Sequence, residues 1–389
     1  MQIAVIGFGN AGGKVADAIL EFEAATGRTF CRDVRAVNSA EIDLAKLDHV
    51  PEDRQVLVGQ THHRAKGHGV GADPDLGAEV TRRDLGEVQR ALDDVPVYDI
   101  DAFLVVAGMG GGTGSGGAPI LSGHLRETYS EPVYGLGILP STDEGGRASL
   151  NAARSLRSFT ESTDNLIIFD NDAWRGAGDS LESGYERTNM ELARRVTTLL
   201  GAGALDDSQV SEAAMDASDI NRTLATGGIS TIAYARTDID AASEPGLLDR
   251  FRTNGHKQAS DHAKKVHGVV RQAVRARLTC PAEVDSAERS LAVVSGPPSE
   301  LSRKGLQHAR RWLEDQTDSV EVLAGDDPRE GSGELSAAVL LSNVTDVPRV
   351  DALQERAVDA KSDIEEQESV REQQVSELIT DENDELDPL

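Results

Sequence analysis

The stretch that most constrains this chain is Gly110-Gly111-Gly112-Thr113-Gly114-Ser115-Gly116, five glycines in seven positions. It follows the apolar run DAFLVVA at 101–107 and precedes a helix predicted to begin near Ala118 or Pro119. Backbone without Cβ approaches a polyphosphate closely and turns several N–H groups toward it. Thr113 and Ser115 add hydroxyl donors, and the helix N-terminus adds positive partial charge. A merely flexible linker would not be bracketed so tightly by strand and helix.

A second glycine loop stands at the N-terminal end. GFGNAGG places GxGxxG at Gly7, Gly9 and Gly12 between the apolar run QIAVI and the helical pattern VADAILEFEAA. Alone it equally suggests a Rossmann oxidoreductase using NAD. That fold wants an acidic residue at the end of the second strand to bond the ribose, and the run 34–37 ends at Asn38. A P-loop is absent, because Lys14 is followed by Val15 instead of Ser or Thr.

Further apolar runs at 55–59, 134–140 and 165–170 alternate with helical patterns, which predicts an α/β domain on a parallel, doubly wound sheet, with its ligand at the carboxyl ends of the strands. A glycine-rich stretch, KGHGVGADPDLG, covers 66–77. The pattern YERTNMELARRVTTLL is predicted to be a connecting helix over 185–201, separating a domain at 1–184 from a smaller α+β domain at 202–350. In the latter, helices are expected near 208–224, 257–277 and 299–316, with strands at 231–236, 290–296, 319–324 and 335–344 on a mixed sheet. The last 39 residues, 351–389, hold 14 acidic and 3 basic side chains; their first part is expected to be helical and DENDELDPL a disordered tail.

Carboxylates outnumber Lys and Arg by 67 to 39, a net charge of −28, which argues against nucleic acid or an anionic membrane as a partner. The positive charges are 31 Arg and only 8 Lys, and excess acid with scarce Lys suggests a high-salt cytosol. Cys31 and Cys280 are far apart and imply neither a disulfide framework nor a thiolate metal site. With no charged leader and no apolar run near ~18–20 residues, a soluble cytoplasmic protein without membrane insertion is expected. His62, His63 and His68 read as surface or loop residues, and Trp174 and Trp312 as packing groups.

With these residues in view, GGGTGSG resembles the tubulin signature loop, and residues 1–345 resemble the tubulin/FtsZ superfamily, most closely its CetZ group of haloarchaeal proteins. The resemblance implies a GTPase domain that binds GTP and GDP. Gly9, Asn10, Ala11 and Gly12 would face the phosphates and base edge, and Asn38 the phosphates and catalytic water. Gly69, Val70, Gly71, Ala72 and Asp73 would sense the γ-phosphate, and Gly110 through Gly116 would hold the phosphates. Pro140 and Glu144 match the loop after the fifth strand, with Glu144 a ribose ligand. Asn171 and Asn189 would contact guanine, and Tyr185 would stack on it. Mg²⁺ is expected with the phosphates, since it bridges phosphate oxygens without a dedicated protein cage.

The resemblance also implies catalysis across a subunit contact. Asp216 and Asp219, three apart on one predicted helix face, would come from the next protomer and polarise the attacking water. Head-to-tail assembly into protofilaments then completes each site. Two departures stand out: Ala214 replaces the Asn that leads the family's NxDxxD, and Ala148 replaces an Arg of bacterial division proteins, with Arg147 one position earlier. The implied role is control of cell shape or motility, near the envelope if an adaptor binds the acidic tail. A regulatory GTP-binding paralogue that does not polymerise, and the NAD-dependent oxidoreductase, stand as alternatives.

Overall fold

A computed structural model describes residues 1–174, 181–203, 214–239 and 255–379. Its strands are β1 Ile3–Phe8, β2 Cys31–Asn38, β3 Gln55–Leu57, β4 Ala102–Gly108, β5 Val133–Leu139, β6 Asn165–Asp170, β7 Ile229–Asp238, β8 Ala287–Gly296, β9 Glu321–Pro328 and β10 Glu334–Val344. They form one sheet in the order β3-β2-β1-β4-β5-β6-β7-β10-β8-β9. The pairings from β3 to β7 are all parallel. Beyond β7 the sheet turns mixed, with β10 antiparallel to both β7 and β8, and β8 parallel to β9.

Alternation along each strand builds two cores. On β1, Ala4, Ile6 and Phe8 point into one and Ile3 and Val5 into the other. The second core is covered by α1 Gly9–Thr26, the short α2 Glu41–Leu44, α8 Leu181–Leu200 and α9 Ala217–Leu224. The first is covered by α3 Pro74–Arg83, α4 Leu85–Leu92, α5 Thr113–Thr128, α6 Gly146–Ser162, α10 Gly255–Arg275, α11 Arg303–Gln316 and the start of α12 Pro348–Ile379. A single turn, α7 Asn171–Trp174, follows β6.

The halves of the sheet meet at β6 and β7, which pair only through Leu166 with Ile229 and Ile167 with Ser230. A buried polar knot reinforces this narrow seam. The Asn165 amide donates to the carbonyls of Leu224 at 3.1 Å and Gly227 at 2.8 Å and to Ser342 Oγ at 3.1 Å. Its Oδ1 accepts from Ser230 Oγ at 2.6 Å, so the amide is satisfied on both sides.

Several boundaries differ from the sequence reading. The helix after the glycine-rich loop starts at Thr113, inside that loop, and not near Ala118 or Pro119. Low glycine propensity is overridden there by tight packing against α3. The connecting helix begins at Leu181, four residues before Tyr185. Within the segment expected near 208–224, the described helix is Ala217–Leu224, while 204–213 lie outside the described residues. Most of the acidic tail is helix, to Ile379, and 380–389 lie outside the described residues.

Two glycines are required by close approach. A Cβ on Gly12 would lie 2.1 Å from the Val106 carbonyl oxygen, and one on Gly116 would lie 2.0 Å from that of Pro74. Alanine at either position is therefore expected to destabilise the fold by about 1–3 kcal/mol through overpacking, outweighing the roughly 1 kcal/mol gained in helix propensity. Lower denaturation midpoints for Gly12→Ala and Gly116→Ala would show it; midpoints at or above wild type would refute it.

Candidate functional site

From β1 the chain passes to α1 on one face of the sheet, and from adjacent β4 to α5 on the other. This switch point opens a crevice at the carboxyl ends of the parallel strands. A cleft of about 360 Å³ occupies it. Gly9, Asn10 and Ala11 from the first turn of α1, and Gly110, Gly111, Gly112, Thr113 and Gly114 at the start of α5, form its floor.

The first N–H groups of each helix have no intrahelical acceptor, so two sets of orphan donors converge here. Neither helix has a side-chain cap or an acidic residue in its first turn. By contrast, Asp73 caps α3 and Asp216 caps α9. Thr113 Oγ1 lies 2.6 Å from Ser39 Oγ, which fixes this cleft-lining hydroxyl to the loop after β2. Asn38 also lines the cleft, and its Oδ1 accepts from the N–H groups of Ser39 and Ala40 at 2.8 and 3.2 Å, shaping that turn.

Gly69, Val70, Gly71 and Ala72 form a third wall. Gly69 and Gly71 have φ of 95° and 61°, and Ala72, unusually for a residue with Cβ, has 58°. Beyond them Asp73 Oδ1 accepts from the Leu76 N–H at 3.0 Å and its Oδ2 from Arg64 at 2.9 Å. The backbone N–H at this helix start and Arg64 hold the Asp73 carboxyl below its ordinary range. The far wall carries Pro140, Glu144 and Asn171. Glu144 is oriented by the Ser141 N–H at 2.8 Å, and Tyr185 donates to the same oxygen at 3.4 Å.

Not every expected residue lines the cleft. Gly12 and Gly116 stand behind it, against β4 and α3. The Ser115 hydroxyl turns inward to the carbonyls of Gly111 and Gly112, which makes it a brace of the loop and not a donor into the cleft. Tyr185 and Asn189, both half-buried on α8, lie outside the lining, with Tyr185 reaching it through Glu144. Arg147 faces a separate groove between α6 and α12, and Ala148 packs beneath Gly110. His62 stands in a loop, as one arm of the reading had it, but is buried there and bonded to Glu79 at 3.1 Å, while His68 and Asp43 line the cleft unforeseen.

Sequence reasoning also missed Asn151. Buried on α6, its amide donates to the carbonyls of Ala72 at 3.0 Å and Gly110 at 3.1 Å, stapling the third wall to the glycine-rich floor. The available signal was an Asn in the buried stripe formed by Ala148, Ala152 and Leu156.

The acid pair lies elsewhere: neither Asp216 nor Asp219 lines the cleft. Asp216 precedes α9 and caps it, so the two do not share a helix face. Its Oδ1 accepts from Ser218 Oγ at 2.7 Å and the Asp219 N–H at 3.0 Å, which lowers the Asp216 pKa. Partial burial and the neighbouring Asp216 charge raise that of Asp219. Ala214 forms a parallel bridge with Asp326. Among the described residues, no group of three or more His, Cys, Asp or Glu could hold a metal, and no helix is long and apolar enough to cross a membrane.

Residues 2–179 match the Tubulin/FtsZ family, GTPase domain, and residues 178–359 match Tubulin-like CetZ, C-terminal domain. The tubulin-like protein CetZ1 of Haloferax volcanii is 48% identical over 94% of each chain, and CetZ3 of the same organism is 51% identical over 100% of each. A solved GDP-bound monomer of CetZ1 superposes with a TM-score of 0.82 at 46% identity, covering 93% of this chain and 100% of that one. A GTPγS-bound protofilament of CetZ2, also from Haloferax volcanii, gives 0.82 at 40% identity, covering 94% and 100%. Glycine-lined crevice, sheet order and sequence agree: this chain belongs to the tubulin/FtsZ family, within its CetZ group.

Proposed function

We propose that the cleft binds GTP and GDP and that hydrolysis of GTP is completed by a second copy docked head to tail, giving protofilaments. The observation that carries this is the separation of parts: two helix N-termini converge on a cleft that no Asp216 or Asp219 carboxylate lines. Backbone donors bind phosphate but cannot take a proton from water; of the carboxylates that line the cleft, Glu144 is held by the Ser141 N–H and Tyr185 and Asp43 faces Lys46 at 3.7 Å, so in this reading the acid pair of α9 is brought from outside. A heterologous contact of that kind extends into a filament when its rotation does not close. The relatives support the reading, since one solved structure is a GDP-bound monomer and another a GTPγS-bound protofilament.

The two members of the acid pair stand in different environments. Asp216, whose pKa is lowered by Ser218 and the Asp219 N–H, stays anionic and orients water. Asp219, raised by burial and by Asp216, stands in the first turn of α9 as the second carboxylate of the pair. The floor binds the phosphates, and Pro140, Glu144 and Asn171 form the nucleoside side. Thr113 and Asp43, which line the cleft, are the side chains that would hold Mg²⁺ beside the phosphates, where it would neutralise their charge; the described residues offer no cage of three or more His, Cys, Asp or Glu. We extend the proposal to a cytoplasmic cytoskeletal role in cell shape or motility, with the acidic C-terminal segment as the place for an adaptor.

In molar salt, the chain is expected to sediment as polymer with GTP and far less with GDP; equal pelleting in both would count against a nucleotide-switched filament. Asp216→Ala should slow steady-state hydrolysis by about 10²-fold or more while leaving GDP affinity within about threefold, and a matching loss of GDP binding would place the residue in the cleft of its own chain. Asn151→Ala should destabilise the chain by about 1–3 kcal/mol through its unpaired carbonyls. Hydrogen exchange would check it, with faster exchange expected at 69–73 and 110–112 and no local change if the staple is idle.

A further inference from the structure

The nucleoside-side wall is held from behind by the C-terminal helix. Arg349, in the first turn of α12, has an almost buried guanidinium. Its Nε donates to Asp170 Oδ1 at 2.9 Å and its Nη2 to the Pro140 carbonyl at 2.8 Å, while Asp172 Oδ2 lies 3.8 Å away. Asp170 and Asp172 flank Asn171, so one cation ties together the two loops that carry Pro140, Glu144 and Asn171. Asp172 continues the tie, its Oδ1 accepting from the Thr142 N–H at 3.0 Å and from Thr142 Oγ1 at 3.2 Å.

Two turns along the same face of α12, Arg356 donates to the Thr142 carbonyl at 2.9 Å. One turn further Ala360 meets the start of α6 so closely that a Cβ on Gly146 would lie 2.8 Å from its own. Between them Leu353 is fully buried. None of these α12 residues lines the cleft, yet Arg349, Arg356 and Ala360 each bear on the segment 140–146, whose Pro140 and Glu144 do.

We propose that α12 is a strap that sets guanine-nucleotide affinity, with Arg349 as the positioning residue that fixes the nucleoside side of the cleft. The proposal rests on reading Pro140, Glu144 and Asn171 as that side. A buried guanidinium suits the task because its planar fork serves a carboxylate and a carbonyl at fixed angles, which the point charge of a lysine does not. Both nucleotides share ribose and base, so the strap should act on GTP and GDP alike. In the proposed reading the γ-phosphate would sit with Gly69–Ala72 and the glycine-rich floor, which Asn151 staples independently.

The test uses the full chain with GDP and with GTPγS in equilibrium binding, and steady-state hydrolysis of GTP in molar salt. Arg349→Gln and Arg349→Lys should each weaken GDP and GTPγS by about tenfold and by the same factor. KM for GTP should rise correspondingly with kcat at saturation within about twofold. A general loss of structure would lower kcat and the melting temperature of nucleotide-free protein without this split. If Arg349→Gln does not fold, Arg356→Gln, half-buried two turns further along the same face, should weaken both nucleotides by about threefold with melting unchanged. Unchanged affinity in the folded variant, or a loss confined to GTPγS, would overturn the strap. Failure of the wild-type chain to bind either nucleotide would instead overturn the proposed function itself.

Discussion

The cleft depends on bringing two helix N-termini closer than side chains allow. A Cβ on Gly9 would lie 2.9 Å from the Gly114 nitrogen, and one on Gly114 would lie 2.7 Å from the Gly108 carbonyl oxygen. A Cβ on Gly77 would lie 2.3 Å from the carbonyl oxygen of Gly112. Hydrogen at these positions lets α1, α5 and α3 meet at one place, so that unshared N–H groups from two helices add at short range. Strand order does the rest: neighbouring β1 and β4 send their helices to opposite faces, which leaves the crevice open between them. A chain carrying a net charge of −28 holds an anionic nucleotide in this reading through backbone dipoles, where local geometry outweighs the distant field.

The parallel strands and the glycine floor are legible in the sequence because they are written in short-range patterns. Apolar runs of strand length ending in glycine, Asn or Pro place β1, β2, β4, β5 and β6 with small boundary errors. The start of α5 is illegible, because the glycines that permit its packing are the residues that argue against helix. Ser115 looks like a ligand from its setting and proves a brace, since hydroxyl direction depends on the turn it occupies. Asn151 and Arg349 are hidden for another reason: their partners stand 79, 41, 179 and 209 residues away, where no periodicity reaches. The family resemblance supplied Glu144 and Asn171 but not what holds them.

The architecture separates the glycine-lined cleft from the Asp216–Asp219 pair. The cleft belongs to the parallel part of the sheet, and the acid pair to α9, whose N-cap leads into the mixed part through the bridge of Ala214 with Asp326. Between these parts the sheet is two residue pairs wide, closed by the Asn165 amide and its hydroxyl and carbonyl partners. Directional bonds specify register at a narrow seam better than apolar packing does, because a slip of one residue would strand buried polar atoms.

The absence of acid from the first turns of α1 and α5 bears on how such a surface can evolve. Carboxylates are placed throughout this molecule, and the N-termini of α3 and α9 are closed by them. A carboxylate at either end of the cleft would gain from the same helix dipoles and would occupy the donors permanently, making the chain its own competitive ligand. An acidic substitution at these two turns would therefore cost ligand binding by competition while leaving the fold as stable as before, a loss invisible to any measure of stability.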